Sequence, residues 1–275
     1  MQAATSPGSV DAEIDAPYDL APDAAARYAR DGFAHLGGVF SPAALASFDD
    51  EFTRLVYAEI PKLVPLAQRD TYGKAFLQVG QLWLKSERAK RFVFGRRLAR
   101  IAAELMGTRG VRMYHDQALY KEVQGGFTPW HCDQQYWPLA SDKSITAWIP
   151  LQEVPIDMGP LAFAAGSHHY TGGRHLAIGD ESEETLERDL VAYPYIEEPF
   201  ALGDVSFHAG WTYHRARGNT TGRCRKVMTI IFMDIDMRLA QPSNPNQEGD
   251  RKYCAPGVAV GDIIASPVNP VMWER

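Results

Sequence analysis

The chain has little cysteine, no long apolar run and no excess of positive charge, and each shortage removes a class of protein. Its three cysteines, Cys132, Cys224 and Cys254, are widely spaced, odd in number and in no C-x-x-C pattern. A disulfide framework needs paired thiols, so this usage fits a reducing, cytoplasmic setting. No stretch of eighteen or more apolar residues occurs, so neither a transmembrane helix nor a membrane partner is expected. The N-terminus lacks the basic and apolar regions of a secretory signal. Lys and Arg number 28 against 34 Asp and Glu, a net charge of −6, which argues against nucleic acid as a partner.

What is present is ordinary for a soluble protein: 45% hydrophobic and 23% charged residues over 275 positions. That length is enough for a full core in one large domain, as β-barrel and sandwich folds often have, or for two modest domains. Residues 1–20, rich in Ala, Ser, Pro, Gly and Asp, read as a loose tail, and residues 21–275 as one domain. Residues 22–30 read as a short helix and 33–40 as a strand. Ser41-Pro42 is a helix start, a Ser cap followed by Pro at the first helical position. Leu45, Phe48, Phe52 and Leu55 then recur at helical spacing. Residues 86–106 read as helix broken near Gly95 and stopped at Gly107. The Arg/Lys face of that region (Arg88, Lys90, Arg91, Arg96, Arg97, Arg100) reads as a solvated surface, with an anionic partner as the alternative.

From Val111 onward the period changes to that of strands, over 111–123, 144–151, 204–208 and 225–233, with Gly, Pro and Asn between them. Helices first and strands later predicts an α+β or mainly β domain, with helices packed on one side of a sheet sandwich. The acidic segment 179–190 reads as a surface loop or short helix, with a lid over a site as the alternative.

The chemistry gathers around His131-Cys132-Asp133. Side chains i and i+2 of a strand share a face, so His131 and Asp133 look inward together while Cys132 looks out. Two imidazoles and a carboxylate on one side of a metal form the facial set of non-haem Fe(II) oxygenases. His214 is the expected third ligand, with His208 as competitor and His115, His168 and His169 also available. Arg225, eleven residues after His214, favours that choice. It opens an apolar strand, and the turn signal 218–222 predicts a hairpin bringing both into one cavity. An inward guanidinium on an apolar strand demands an anion, and its fork matches a carboxylate. A metal with open positions beside a carboxylate anchor suits an oxo acid such as 2-oxoglutarate. Arg223 competes for the same part.

Several segments together resemble the phytanoyl-CoA dioxygenase family. They are Thr128-Pro-Trp-His-Cys-Asp-Gln-Gln-Tyr-Trp-Pro-Leu139, Ala147-Trp-Ile-Pro-Leu151, Gly159-Pro-Leu161, Gly166-Ser-His168 and Gly203-Asp-Val-Ser-Phe-His208, with His214, Arg225 and the N-terminal Tyr28-Ala-Arg-Asp-Gly-Phe33. The resemblance spans roughly residues 25–235. It implies a double-stranded β-helix (a jelly-roll, cupin-like barrel) flanked by helices, and oxygenation dependent on Fe(II), 2-oxoglutarate and O2. By the same resemblance His131, Asp133 and His214 are the iron ligands and Arg225 clamps the far carboxylate of 2-oxoglutarate. Trp148 lines the cosubstrate pocket, and Gln117 and Lys121 supply a polar contact and a basic group from the 111–123 strand. These two are expected to share a strand face with Met113 and Leu119. Thr128 is a further candidate for the cosubstrate. Relatives often carry Ser where this chain has Ala216, and the intact Asp133 argues against a halogenating variant.

The expected substrate is a small metabolite, with a secondary-metabolite tailoring step as the setting, hydroxylation as the default and cyclisation, desaturation or epimerisation as diversions. No basic cluster suited to an acyl-CoA is evident, whereas Phe76, Trp83, Phe127, Tyr136, Trp137, Trp211 and Tyr213 suit a compact, partly apolar molecule. The expected state is a monomer or homodimer. Alternatives are a jelly-roll metalloenzyme without 2-oxoglutarate, Arg225 then pairing with Asp204 or Asp234, and a non-catalytic jelly-roll binding protein.

Overall fold

The structure, a computed structural model, describes residues 7–59 and 64–275. In chain order the elements are α1 (Pro7–Glu13), α2 (Ala24–Asp31), β1 (Phe33–Leu36), α3 (Pro42–Ala58), α4 (Thr71–Ala75), β2 (Leu77–Gly80), α5 (Glu87–Val93), α6 (Arg96–Met106), β3 (Gly110–Tyr120) and β4 (Thr128–His131). They continue with β5 (Ser144–Pro150), β6 (Leu161–Ala164), α7 (Asp180–Asp189), β7 (Tyr195–Glu197), β8 (Val205–Ala209), β9 (His214–Ala216), β10 (Val227–Asp234), α8 (Pro245–Cys254) and β11 (Val271–Glu274).

The larger sheet runs β1-β8-β5-β10-β3-β11, with β2 also on β3, and the smaller runs β4-β9-β6-β7. Their inner faces share a core of Trp148 and Val227 from one sheet and Leu161, Phe163 and Ala216 from the other. This is the jelly-roll, or double-stranded β-helix, architecture. The central strand β10 shows how the pattern works. Met228, Ile230 and Phe232 point outward into a core built with the helices. Val227, Ile231 and Met233 point inward, as the period of two requires. Phe48, Phe52 and Phe92 cover the outer face from α3 and α5.

Local signals act as expected at the helix ends. Ser41 caps α3 by accepting the Ala44 N–H at 3.2 Å. Gly107 closes α6 in the left-handed region at φ 66°, which a glycine takes without strain.

The N-terminal expectation needs correction from Pro7 onward, residues 1–6 lying outside the described residues. Helix α1 is packed, with its Val10 and the following Ile14 buried in the helix-side core. Glu13 accepts both the backbone N–H and the hydroxyl of Ser41 at 2.6 Å. Arg88 and Arg91 pair with Asp11 and Asp15 at 2.8 and 2.7 Å, and Arg97 lies 3.6 Å from Glu13. Part of the basic face is therefore neither solvated nor kept for an outside anion. It receives the acids of the chain's own first helix.

Candidate functional site

His131 ends β4, His214 begins β9, and the two are direct cross-strand partners. Asp133 follows on a short 3-10 turn (Asp133–Tyr136). Ligand atoms of His131, Asp133 and His214 all lie within 4.8 Å of one another. Each imidazole is oriented by its own strand, Nδ1 donating to a backbone carbonyl: His131 to Pro129 at 2.7 Å and His214 to Thr212 at 3.0 Å. That tautomer leaves both Nε2 lone pairs free, each 3.8 Å from Oδ1 of Asp133. Burial lowers the pKa of both histidines, for His214 together with the neighbouring His131 and His208, so they stay neutral. Burial alone raises the Asp133 carboxyl, but His214, His208 and His131 outweigh it and hold the group well below the usual carboxylate range. Two neutral imidazoles and one carboxylate are the protonation states a divalent metal requires.

Among the described residues this is the one such group of three. His208 is beside it rather than in it. Its Nε2 donates to Oδ2 of Asp133 at 3.1 Å, and Thr146 Oγ1 donates to the same oxygen at 2.9 Å. Two donors thus hold one carboxylate oxygen and leave the other facing the imidazoles. His168 bonds the Ala29 carbonyl with Nε2, outside the site.

The group opens into a cavity of about 410 Å³ lined also by Gln117, Thr128, Trp148, Ala216 and Arg225. Arg225 is 1% exposed, and its Nη1 donates to the carbonyl of Gly159 while Nε has no partner. Gly159 is itself required: φ is +76°, and a Cβ there would meet the Arg217 carbonyl oxygen at 2.3 Å. Burial lowers the Arg225 pKa to about 10, leaving it charged at neutral pH. Arg223 is exposed on the turn. Lys121 is fully buried, donating to the Gly126 carbonyl and to Thr128 Oγ1 at 3.2 Å; burial and then Arg225 push its pKa well down. No described carboxylate pairs with either cation. Asp204 is engaged by Gly38 and His35, and Asp234 by Asp236, so neither serves Arg225. An unpaired buried guanidinium with an orphaned N–H fits a carboxylate ligand.

Two expectations are corrected. Residues 218–222 are not a hairpin turn, since β9 and β10 belong to different sheets. Asn219 anchors the crossover by donating to the carbonyls of Glu122 and Arg223 at 3.1 and 2.7 Å, which still delivers Arg225 to the cavity. Met113 does not share the inner face with Gln117 and Lys121. The register shifts between the β10 residues Ile231 and Phe232, opposite His115 and Met113, and this bulge sends Met113 to the helix side. Of the seven aromatics, Phe76, Tyr136 and Trp137 line the cavity, whereas Trp83 packs on Phe94 and Tyr213 lies in a separate core.

Tyr72, Gln78, Thr146, Asp250, Tyr253 and Cys254 also line the cavity and are new from the structure. Thr146 was within reach of the strand period, two positions before Trp148 on β5. The others sit on elements that no motif placed near the site. The acidic segment 179–190 forms α7, whose Glu183 accepts the Trp130 N–H at 2.8 Å behind β4. At the C-terminal end, β11 extends the edge of β3.

A jelly-roll that presents two neutral imidazoles, one carboxylate and an unpaired guanidinium to a common cavity defines a non-haem metal oxygenase site. The model of the family described as phytanoyl-CoA dioxygenase (PhyH) matches residues 28–227, and the chain belongs to that family. It is an Fe(II)- and 2-oxoglutarate-dependent oxygenase. Its fold is similar to that of SnoK, a non-haem α-ketoglutarate-dependent carbocyclase from nogalamycin biosynthesis (TM-score 0.76, 24% identity, 93% of this chain and 99% of that one). It is similar also to SnoN, the epimerase of the same biosynthesis (0.74, 23%, 98% and 100%). A third is EctD from S. alaskensis with 2-oxoglutarate and 5-hydroxyectoine (0.67, 22%, 81% and 79%). No curated protein matches the sequence significantly. Among the described residues no helix is long and apolar enough to cross a membrane.

Proposed function

We propose that this enzyme oxidises an unactivated C–H bond of a compact, partly apolar small molecule, holding iron with His131, Asp133 and His214 and 2-oxoglutarate with Arg225. The observation that carries it is the convergence of three metal-ligand atoms with an unpaired buried guanidinium in one cavity. The donor set fits iron, and the bound metal with 2-oxoglutarate and O2 supplies an oxidant able to take a hydrogen atom from such a bond.

The chain's own residues do the rest. His131, Asp133 and His214 would hold the metal through their three converging ligand atoms. Thr146 and His208 hold Asp133 to one coordinating oxygen. Arg225, with Lys121 next to it, receives the distal carboxylate, and Trp148 walls that end beneath the guanidinium, 5.4 Å from its carbon. Gln117 and Thr128 supply polar contacts nearby. The apolar lining excludes water from the oxidising centre.

The cavity argues against a long acyl-CoA, because Arg225 is the sole cation among its lining residues and is taken by the cosubstrate. Tyr72, Phe76, Tyr136 and Trp137 suit instead a ring-bearing metabolite. Hydroxylation is the default outcome; the likeness to a carbocyclase and an epimerase supports a biosynthetic tailoring step in which cyclisation, desaturation or epimerisation replaces it. Aerobic incubation with Fe(II) and 2-oxoglutarate is expected to yield succinate, and the yield to vanish in His214→Ala. A wild-type enzyme that consumes no 2-oxoglutarate, with or without candidate metabolites, contradicts the reading.

A further inference from the structure

Three charged side chains line the cavity: Asp133, Arg225 and Asp250. In the proposed function Asp133 is committed to the metal and Arg225 to 2-oxoglutarate. Asp250 is the charge that neither cofactor takes.

Asp250 comes from α8, which lies beyond the family match at residues 28–227. The helix presents Asp250, Tyr253 and Cys254 to the cavity, spaced so that they share one face. It is firmly docked: Asn244 caps it by accepting the Gln247 N–H at 2.9 Å, Gln247 donates to the Gln135 carbonyl at 3.1 Å, and Asn269 donates to the Cys254 carbonyl at 2.8 Å. The carboxylate receives two neutral donors, Tyr114 Oη on Oδ2 and Cys254 Sγ on Oδ1 at 3.6 Å. No Lys, Arg or His pairs with it among the described residues; Arg251 and Lys252 on the same helix pair with Glu248 instead. The one other titratable nitrogen at this end is His115, which burial pushes down to about 4 and so keeps uncharged.

Position matters as much as charge. Tyr114, which holds Asp250, lies on β3, and Lys121, beside Arg225, follows the end of that strand seven residues on, roughly 20 Å of extended chain. The uncommitted carboxylate therefore stands well away from the cosubstrate anchor and near the level of the metal group: His115, next to Tyr114, is joined through Ile231 to Thr146, which holds Asp133. The aromatic rings of Tyr136, Trp137 and Tyr253 line the cavity with it.

We propose that Asp250 is a substrate-recognition residue and that the primary substrate carries a protonated amine, which Asp250 receives while the aromatic walls hold its apolar body. Burial raises the Asp250 carboxyl to about 6, so it is mostly ionised at neutral pH, yet poorly enough solvated to gain from a cation. Tyr114 and Cys254 fix its direction without neutralising it.

The proposal rests on the oxygenase reading, and its test separates the two. Enzyme loaded anaerobically with Fe(II) and 2-oxoglutarate is dialysed against 1-naphthylmethylamine or against 1-naphthalenemethanol, which has the same shape without the charge. A charge-assisted hydrogen bond predicts roughly ten-fold tighter retention of the amine by the wild type. Asp250→Asn, which keeps an oxygen for Tyr114, is expected to bring the ratio close to one. The visible band of the iron chelate is recorded on the same samples: its absence in the wild type defeats the oxygenase reading. With the band intact, equal retention of the two probes, retention of neither, or an amine preference that survives in Asp250→Asn overturns the role of Asp250 alone. The wild-type comparison stands by itself should the variant fold poorly.

Discussion

Lys121 and Arg225 face each other across an antiparallel bridge, each backbone N–H donating to the other's carbonyl at 2.9 Å. A charged guanidinium and a buried amine, which burial and Arg225 push toward its neutral form, are thereby fixed side by side, and no described carboxylate pairs with either. Such an arrangement costs stability in the empty protein, because replacing unpaired buried charge by apolar groups of similar size relieves desolvation. Arg225→Met is therefore expected to unfold at a higher temperature than the wild type without ligand, while 2-oxoglutarate, which stabilises the wild type, loses its effect on the variant. Saturation at 100 Kd corresponds to about 2.7 kcal/mol of stabilisation. Thermal unfolding with and without 2-oxoglutarate checks both signs; a variant less stable than the wild type and still stabilised by the ligand contradicts the assignment.

His208 and Thr146 are positioning residues for Asp133. Loss of such an orienting bond typically costs 10- to 100-fold in metal affinity. His208→Phe is expected to weaken Fe(II) binding by about that factor, whereas His214→Ala abolishes it. Competition for Fe(II) against a chelating dye distinguishes them, and equal effects of the two changes would make His208 a ligand.

Asp116 is buried with Oδ1 unpaired, Oδ2 accepting the Leu82 N–H at 3.0 Å. Burial raises it to about 7 from 3.8. A group whose folded pKa is raised contributes stability that is present below the unfolded pKa and lost as pH rises through the folded one. Wild-type stability is thus expected to decline between pH 4 and 7 relative to Asp116→Asn, by up to about 4 kcal/mol at 1.4 kcal/mol per tenfold change in proton affinity. Urea unfolding of both proteins across that range tests this; parallel pH profiles contradict it.

Removal of residues 1–16 uncovers the seat of Val10 and Ile14 and leaves Arg88 and Arg91 without their acids. Burial of each apolar side chain is worth about 1.5–3 kcal/mol, and the partly exposed ion pairs add little. The truncated protein is expected to lose roughly 3 kcal/mol or more in urea unfolding. An unchanged midpoint would make α1 an ornament of the fold.

Much of this was legible in the residues. The period of two in β10 and the Ser-Pro start of α3 are strong local signals that tertiary packing reinforces. His131 and Asp133 could be placed together by side-chain alternation, and His214 with Arg225 by their short separation, although that link is a crossover between sheets and not the expected hairpin. Three features were not legible. A bulge at Met113 reverses parity without a sequence mark, since no glycine announces it. The segment of α1 and Ile14 looks like a tail because its two apolar anchors are embedded among small and acidic residues, and Arg88, the partner of Asp11, lies 77 positions downstream. Asp250 belongs to a helix whose docking depends on backbone carbonyls of Gln135 and on Asn269, contacts that no residue type predicts.

The central claim is that iron and 2-oxoglutarate meet between the histidine–aspartate group and Arg225. Anaerobic titration of the metal-free protein with Fe(II) and 2-oxoglutarate, followed through the visible charge-transfer band of the chelate, tests it most directly. The account predicts a saturable band in the wild type that needs a far higher 2-oxoglutarate concentration in Arg225→Ala and is absent in His214→Ala. Iron bound without any such band, or a band indifferent to Arg225, would contradict it.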